Sequence, residues 1–203
     1  MKKSTLEVFN ENALKYQTKF MKMDLYDATY IDFLSRLKSN AEILEIGCGP
    51  GNITRYFLDK RADLKILATD FAPAMVELAE KNNPEVECIV LDARHISSLE
   101  RNFDAIVCGF IVPYFSREEF EKLVCDSVKV LNTGDLFYIS CIEGDYDKSG
   151  WMASSDGKVS AFVHYYDEND IRKILSMAGF SVLETFRVAY ENSIHLVVIA
   201  KIP

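Results

Sequence analysis

Short apolar runs alternate along the chain with segments whose apolar residues recur at helical spacing. The runs that predict strands are 43–46, 65–69, 86–91, 103–110, 136–142, 180–190 and 194–202. The last two are joined by a turn at Asn192-Ser193, which is too short for a crossover helix, so they must be antiparallel neighbours. The pattern predicts an α/β fold: a doubly wound sheet of about seven strands, mostly parallel with a C-terminal antiparallel hairpin, and helices on both faces.

Two segments lie outside this alternation. Residues 1–40 are predicted to be helical and to form an N-terminal cap, in which Tyr16 is either a lid residue over a ligand or an aromatic anchor of the helix. Residues 143–166 contain the hairpin signal Asp156-Gly157 and the only tryptophan, and they leave the carboxyl end of a strand. We expect a substrate lid there, with an edge hairpin as the alternative, inside a single domain of residues 1–203.

The helix after the fourth strand begins with a capping box, S-x-x-E, formed by Ser116 and Glu119. Its apolar positions continue at helical spacing as far as Leu131. The turn residues 132–134 are expected to end this helix.

The first strand leads into the stretch ILEIGCGPGNIT, which contains three glycines within five residues, Gly47, Gly49 and Gly51. Glycine permits φ > 0 and lets a ligand approach the backbone closely. The dinucleotide fingerprint G-x-G-x-x-G would need a glycine at Asn52, and Pro50 offers no donor N–H. The Glu45 carboxylate near the end of the strand would repel phosphates. The loop therefore favours a cationic ligand over a pyrophosphate.

The spacing E-x-G-x-G-x-G closely resembles motif I of the class I S-adenosylmethionine-dependent methyltransferases. The resemblance implies a Rossmann-like fold and a cofactor, S-adenosyl-L-methionine, that carries an ammonium and a sulfonium but no phosphate. It implies that Glu45, Cys48 and the three loop glycines belong to the cofactor site. In architecture it covers residues 43–203, although its specific motifs lie only between Glu45 and Asp92. A plain strand-turn-helix corner is the alternative for the loop.

The second predicted strand ends in Asp70, 19 residues after Gly51. This is close to the interval of about 20 residues at which an acid binds ribose hydroxyls in nucleotide-binding βαβ units. We therefore predict that Asp70 binds the ribose, with a helix N-cap before Pro73 as the alternative or an additional role. The family resemblance implies that Phe71 and Met75 flank the adenine.

The third and fourth strands also end in residues predicted to contact the cofactor. Asp92 is placed to accept a hydrogen bond from the adenine amino group while the Ala93 N–H donates to a ring nitrogen; a solvent-facing turn is the alternative. Cys108 and Gly109 end the fourth strand beside the glycine loop, where open α/β sheets bind their ligands. Because no paired acids occur at that strand end, we expect no metal.

Composition narrows the class of partner. The 203 residues carry a net charge of −8, which argues against binding to nucleic-acid phosphates or anionic lipid. No apolar stretch reaches membrane-spanning length, and the five cysteines contain no C-x-x-C pair, as is usual for reduced thiols. We expect a cytoplasmic protein with a small-molecule acceptor, no nucleic-acid partner and no membrane association; the oligomeric state stays open.

These observations predict an S-adenosylmethionine-dependent methyltransferase that acts by in-line displacement on a small molecule held in a dry pocket. A general base is needed only if the acceptor arrives protonated. His164 and Tyr165, at the end of the predicted lid, are the leading candidates, and His195 is expected to be structural. The alternatives are a non-catalytic protein that binds S-adenosylmethionine or S-adenosylhomocysteine, an aminopropyltransferase and a nicotinamide dehydrogenase.

Overall fold

The computed structural model describes residues 4–153 and 160–203. Its helices are α1 (Thr5–Phe20), α2 (Asp27–Ser35), α3 (Asn52–Lys60), α4 (Pro73–Asn82), α5 (Arg117–Ser127) and α6 (Glu168–Met177). Its strands are β1 (Glu42–Ile46), β2 (Lys65–Asp70), β3 (Glu87–Val90), β4 (Phe103–Cys108), β5 (Leu131–Ile142), β6 (Gly150–Ala153), β7 (Ser160–Val163), β8 (Ser181–Tyr190) and β9 (Ser193–Lys201).

Within these residues a seven-stranded sheet has the order β3-β2-β1-β4-β5-β9-β8. Strands β1 to β5 pair in parallel, whereas β9 is antiparallel to both β5 and β8. This confirms the predicted mostly parallel sheet with a C-terminal antiparallel pair. Strands β6 and β7 pair with each other in a separate antiparallel sheet. The predicted hairpin turn at Asp156-Gly157 lies outside the described residues.

Alternating side chains of the parallel strands pack into two apolar layers, one on each face of the sheet. In β1, Ile43 is buried against Phe33 of α2 and Phe57 of α3. The next residue, Leu44, is buried in the opposite layer, which includes Phe120 of α5 and residues of α6. Both faces are therefore covered by helices, as expected for a parallel sheet with buried strands.

The boundary between α5 and β5 differs from the prediction. The helix ends at Ser127, and Leu131 opens β5 opposite Phe103 instead of extending the apolar face of α5. The Phe103 N–H donates to the carbonyl of Val130 at 2.8 Å. An apolar residue at helical spacing also fits a buried strand, so the periodicity was ambiguous there. The predicted terminator at 132–134 is part of β5.

Candidate functional site

A cavity of about 340 Å³ extends along the edge of the sheet where the parallel strands end. Strand β9 is antiparallel, so its first residues lie at this same edge. Every strand of the seven-stranded sheet contributes a lining residue, at or just beyond its end; in spatial order these are Asp92, Asp70, Gly47, Gly109, Ile142, His195 and Tyr190. The volume is typical of a small-ligand site.

The glycine loop forms the centre of the cavity wall. Gly47 and Gly49 have φ values of +69° and +55°, a conformation that L side chains rarely adopt. A Cβ on Gly47 would lie 2.0 Å from Cγ2 of Ile111, and a Cβ on Gly49 would lie 3.5 Å from Cε1 of Tyr16. Both glycines and Cys48 between them line the cavity. The loop therefore presents bare backbone to whatever occupies this space.

Gly51 has a different position from the other two loop glycines, because it is not among the residues that line the cavity. It precedes α3 with φ +80°, and a Cβ there would lie 2.2 Å from Nδ2 of Asn83. That amide donates to the Gly51 carbonyl at 3.1 Å. Gly51 thus allows α3 to begin in close contact with the end of α4.

The Glu45 carboxyl group lies beneath the loop rather than in the cavity lining. Its side chain is buried, and Oε2 accepts a hydrogen bond from Thr54 Oγ1 at 2.5 Å. Oε1 is buried and has no hydrogen-bond partner in the part of the chain that the structure describes. Burial raises the pKa of Glu45 to about 8. Its participation in cofactor binding stays a prediction.

Asp70 lines the cavity and also holds the local backbone together. Its Oδ2 accepts from the Gly49 N–H and its Oδ1 from the Ala72 N–H, both at 2.9 Å. Burial raises the pKa of this carboxyl group, although the backbone N–H groups oppose the shift. Each carboxylate oxygen can accept more than one hydrogen bond, so Asp70 retains acceptor capacity towards the cavity. The loop contact and the predicted ribose contact are compatible.

Asp92 forms an ion pair with Arg94, and the sequence does not predict this interaction. Arg94 Nη2 lies 2.6 Å from Asp92 Oδ2, and Arg94 Nε lies 2.9 Å from Oδ1. This guanidinium holds the pKa of Asp92 below its usual value. Both residues line the cavity together with Ala93, Phe71 and Met75, so the residues predicted at the adenine end do meet there.

Cys108 and Gly109, both predicted to contact the cofactor, have different surroundings at the end of β4. Cys108 is completely buried in the core and is not among the cavity-lining residues, whereas Gly109 is. A Cβ on Gly109 would lie 2.4 Å from Cδ1 of Ile53. Phe110 follows with φ +58°, unusual for an aromatic residue, and its N–H donates to Ser140 Oγ at 2.9 Å. The chain thus leaves the core at Gly109 and enters the cavity wall.

Helix α1 lies over the cavity and contributes lining residues along its length, namely Thr5, Phe9, Tyr16 and Phe20. The Ala74 N–H of α4 donates to Asn10 at 3.0 Å, and Asn82 donates to Gln17 at 2.8 Å. No residue described between 143 and 166 lines the cavity. The helical cap predicted from the sequence therefore reaches the site, while a lid function of 143–166 stays a prediction.

Tyr26 and His195 meet at the opposite end of the cavity from Asp92. The Tyr26 hydroxyl lies 2.6 Å from Nδ1 of His195, and Ser193 Oγ lies 3.3 Å from Nε2. The Phe110 ring is 4.7 Å from the imidazole and 5.0 Å from the Tyr26 ring, between centroids. Burial lowers the pKa of His195. No local sequence signal predicts this pair, because its members are 169 positions apart.

His164 and Tyr165 are not among the cavity-lining residues. The His164 N–H donates to the carbonyl of Pro113 at 2.7 Å, and its ring packs 4.8 Å from that of Phe162. The Tyr165 N–H donates to Ser149 Oγ at 3.2 Å. A catalytic role for either residue stays a prediction.

Two further features of the described residues bear on the class of protein. No helix in 4–153 or 160–203 is both long and apolar enough to cross a membrane. The same ranges contain no group of three or more His, Cys, Asp or Glu side chains arranged to hold a metal ion.

Comparison with known proteins shows which proteins this chain is similar to. A family model described as a methyltransferase domain matches residues 43–134, which run from the second residue of β1 through β4 and include the glycine loop. A tRNA N(3)-methylcytidine methyltransferase of Schizosaccharomyces pombe is 27% identical over 165 residues, covering 72% of this chain and 66% of its own length. A malonyl-[acyl-carrier protein] O-methyltransferase of Acetivibrio thermocellus is 33% identical over 115 residues, covering 53% and 39%.

The chain thus spans 66% and 39% of the lengths of these two relatives. Among solved structures, the 1,6-didemethyltoxoflavin-N1-methyltransferase of Burkholderia thailandensis has a TM-score of 0.75 to this chain at 18% identity. The match covers 96% of this chain and 85% of that one, which was crystallised with 1,6-didemethyltoxoflavin and S-adenosylhomocysteine. At that identity the likeness is one of fold.

Proposed function

We propose that this chain, a member of the class I S-adenosylmethionine-dependent methyltransferases, transfers a methyl group from S-adenosylmethionine to a small-molecule acceptor. The observation that carries the proposal is the row of residues along the sheet edge. The charged lining residues, Asp70, Asp92 and Arg94, lie at the β2 and β3 end of this row, and uncharged aromatic residues line the other end. One cavity thus offers a cofactor region that continues into a water-poor acceptor region.

The residues proposed to hold the cofactor have the donors and acceptors that it requires. Asp70 would accept from the ribose hydroxyls, and Asp92 with the Ala93 N–H would bind the adenine edge. Gly47 and Gly49 leave room that a side chain would fill. When bound, S-adenosylmethionine supplies an electrophilic methyl carbon without a metal. The protein then has to position the acceptor and exclude water.

Two properties of the chain favour a small acceptor over a nucleic acid. The net charge is −8, and nucleic-acid binding depends on cations that face the phosphates. Helix α1 also covers the cavity, which at about 340 Å³ suits a small ligand. The relative from Schizosaccharomyces pombe, which matches 72% of this chain and is named as a tRNA methyltransferase, keeps tRNA as the second candidate acceptor.

The experiment begins with isothermal calorimetry of the full chain against S-adenosylmethionine and S-adenosylhomocysteine, with NAD as the control ligand. We expect micromolar binding of the first two and none of NAD. Transfer of labelled methyl from S-adenosylmethionine is then measured with a small-molecule extract and, separately, with total tRNA. Label in the small-molecule fraction supports the proposal. Label in tRNA alone would replace it with the second candidate, and binding without transfer to either would favour a non-catalytic binding protein.

Two matched glycine variants test whether ligand binding depends on the glycine loop. Gly49→Val introduces a branched side chain at φ +55°, next to Tyr16. We expect it to abolish S-adenosylhomocysteine binding. Gly150→Val is the control, because a Cβ at Gly150 meets no atom of residues 4–153 or 160–203 within 4 Å and its φ is not in the left-handed region. Normal ligand binding by Gly49→Val would contradict the prediction that the ligand approaches the loop backbone closely.

A further inference from the structure

The acceptor end of the cavity contains one titratable pair that the proposed cofactor contacts do not use. Tyr26 precedes α2, and His195 lies near the beginning of β9, opposite Ile142 at the end of β5. Both line the cavity, and the distance from the Tyr26 hydroxyl to His195 Nδ1 is 2.6 Å. They lie beyond the glycine loop on the side away from Asp92.

The two hydrogen bonds of His195 define a direction for proton movement. A neutral imidazole has one N–H donor and one acceptor nitrogen. With the proton on Nε2, it donates to Ser193 Oγ at 3.3 Å, and Nδ1 accepts from the Tyr26 hydroxyl. The hydroxyl oxygen of Tyr26 keeps its own lone pairs for a hydrogen bond from a molecule in the cavity.

We propose that Tyr26 and His195 form the proton-accepting pair for a flat, uncharged acceptor whose methylated atom carries an O–H or N–H group. This inference rests on the proposed function and names the substrate class of the same site. In it, Tyr26 is the residue that contacts the acceptor, and His195 is the final proton acceptor. A phenol or an N–H heteroaromatic ring has the required chemistry.

The proton and electron balance of the step is complete without another reactant. The acceptor heteroatom forms its bond to the methyl carbon as the carbon–sulfur bond breaks, and that bonding pair stays on sulfur. The acceptor proton moves to the Tyr26 oxygen while the Tyr26 hydroxyl proton moves to Nδ1 of His195. The positive charge that leaves the sulfonium thus appears on the imidazolium, and Tyr26 is neutral before and after.

The lining of this end selects against a charged acceptor. Between β4 and β8, the described lining residues include no Asp, Glu, Lys or Arg side chain. A charged ligand there would lose its hydration without gaining an ionic partner. The rings of Tyr26, Phe110 and Tyr190 surround the imidazole, with centroid separations of 6.1, 4.7 and 5.0 Å from His195. A wall of stacked and tilted rings of this kind favours planar ligands.

Backbone strain supports a functional position for one of these rings. Phe110 has φ +58°, a conformation that is strained for a non-glycine residue and that clusters at ligand sites. Its N–H is held by Ser140, so the strained conformation is fixed by the adjacent strand β5. The ring is thereby held against both Tyr26 and His195.

The charged and titratable groups near Tyr26 and His195 influence the protonation of the pair. Glu191, after β8, raises the pKa of His195 but less than burial lowers it, so the imidazole is neutral at pH 7. Tyr26 has a raised pKa because of burial, with a smaller contribution from Tyr190. Lys19 of α1 lies 3.5 Å from Glu191 and 5.5 Å from the Tyr190 ring centroid. Protonation of His195 at low pH would remove the acceptor nitrogen, so turnover should fall below a midpoint under 6.5.

The test uses the full chain saturated with S-adenosylhomocysteine and three probes of equal ring size: 2-naphthol, 2-methoxynaphthalene and 2-naphthoate. We expect 2-naphthol to bind at least about tenfold more tightly than the other two, since one lacks the O–H and the other is an anion. Tyr26→Phe should remove the preference for 2-naphthol over 2-methoxynaphthalene. Tyr56→Phe, a tyrosine that does not line the cavity, is the matched control.

Methyl transfer from S-adenosylmethionine to 2-naphthol gives the second readout. His195→Gln should lower turnover about 100-fold or more and abolish its dependence on pH, with unchanged S-adenosylhomocysteine affinity. His95→Gln, at an exposed histidine outside the cavity lining, should leave the affinity, the turnover and its pH profile unchanged.

The outcomes separate this inference from the proposed function. If wild-type protein binds no S-adenosylhomocysteine, the proposed function itself fails. If it binds the cofactor product but prefers 2-naphthoate, or binds the three probes equally, only the acceptor class fails. A His195→Gln variant that keeps wild-type turnover and pH profile overturns the role of the pair while leaving the proposed function intact.

Discussion

Glu45 and Thr54 form a buried hydrogen bond beneath the glycine loop, with 2.5 Å between Oε2 and Oγ1. Thr54 is in the first turn of α3, so the bond connects the end of β1 to the helix that follows the loop. The other carboxyl oxygen has no partner among the described atoms. A carboxyl group in this position is costly to ionise, which makes it sensitive to pH.

The first prediction concerns the pH dependence of folding. The pKa of Glu45 is about 8 in the folded protein against 4.5 as the ordinary value, and burial is the main cause. Because the folded pKa is the higher one, the contribution of Glu45 to stability is complete below pH 4.5 and is lost as pH rises towards 8. The total loss is on the order of 5 kcal/mol, at about 1.4 kcal/mol per pKa unit.

Glu45→Gln should remove this contribution, because an amide does not titrate in this range. Urea unfolding of both proteins without cofactor, at about pH 5 and about pH 8, measures the difference. We expect the stability of wild-type protein to fall more between the two conditions than that of the variant. Equal changes would show that Glu45 titrates normally.

The second prediction concerns Asp70. Asp70→Ala should weaken binding of S-adenosylhomocysteine by about 1.5–3 kcal/mol, because hydrogen bonds to a charged group are lost. Calorimetry measures the loss, and Glu77→Ala, on the exposed side of α4, is the control. Unchanged affinity would reject the ribose contact.

The same variant can also separate a ribose contact from an effect on the loop, since Asp70 accepts from the Gly49 N–H. The measurement is repeated with a 2′,3′-dideoxy analogue of S-adenosylhomocysteine. A direct ribose contact predicts that Asp70→Ala costs much less with this analogue. An equal cost with both ligands would assign the whole effect to loop position.

The third prediction concerns the space beside Gly47. Gly47→Ala should destabilise the protein by about 2–4 kcal/mol, through left-handed strain and overlap with Ile111. Ile111→Ala in the same chain should recover about 1 kcal/mol or more relative to additivity. Gly179→Ala, at φ +90° with no atom of the described residues within 4 Å of its Cβ, should show the strain alone. Denaturant unfolding is measured for wild-type protein, the two single variants, the double variant and Gly179→Ala, and strict additivity would contradict the contact.

The fourth prediction distinguishes the two histidines considered as base. The sequence predicts His164 as a general base from its position at the end of the predicted lid. In the structure its ring packs against Tyr146 and Phe162, and His164 does not line the cavity. We expect His164→Ala to lower the melting temperature while retaining turnover with 2-naphthol. Loss of turnover at unchanged cofactor affinity and stability would restore His164 as the base in place of His195.

Much of the proposed cofactor end of the site could be predicted, because its residues come at or directly after the ends of strands in the sequence. Parallel strands place their carboxyl ends at one edge of a sheet, so the glycine loop, Asp70 and Asp92 were bound to lie near one another once the strands were identified. Their detailed contacts were not predictable in the same way. The pairing of Asp92 with Arg94 and the burial of Cys108 depend on side-chain packing, which has no local sequence signal.

By itself the sequence determined the strand and helix order, the C-terminal antiparallel pair and the glycine loop, because each follows from periodicity or from backbone chemistry within a few residues. Only the tertiary structure decided that α1 covers the cavity and that Tyr26 meets His195 across 169 positions. It also decided that α5 ends at Ser127, where pairing with β4 competes with helical spacing. Such contacts depend on how distant segments pack, and the spacing of residues along one segment carries no information about them.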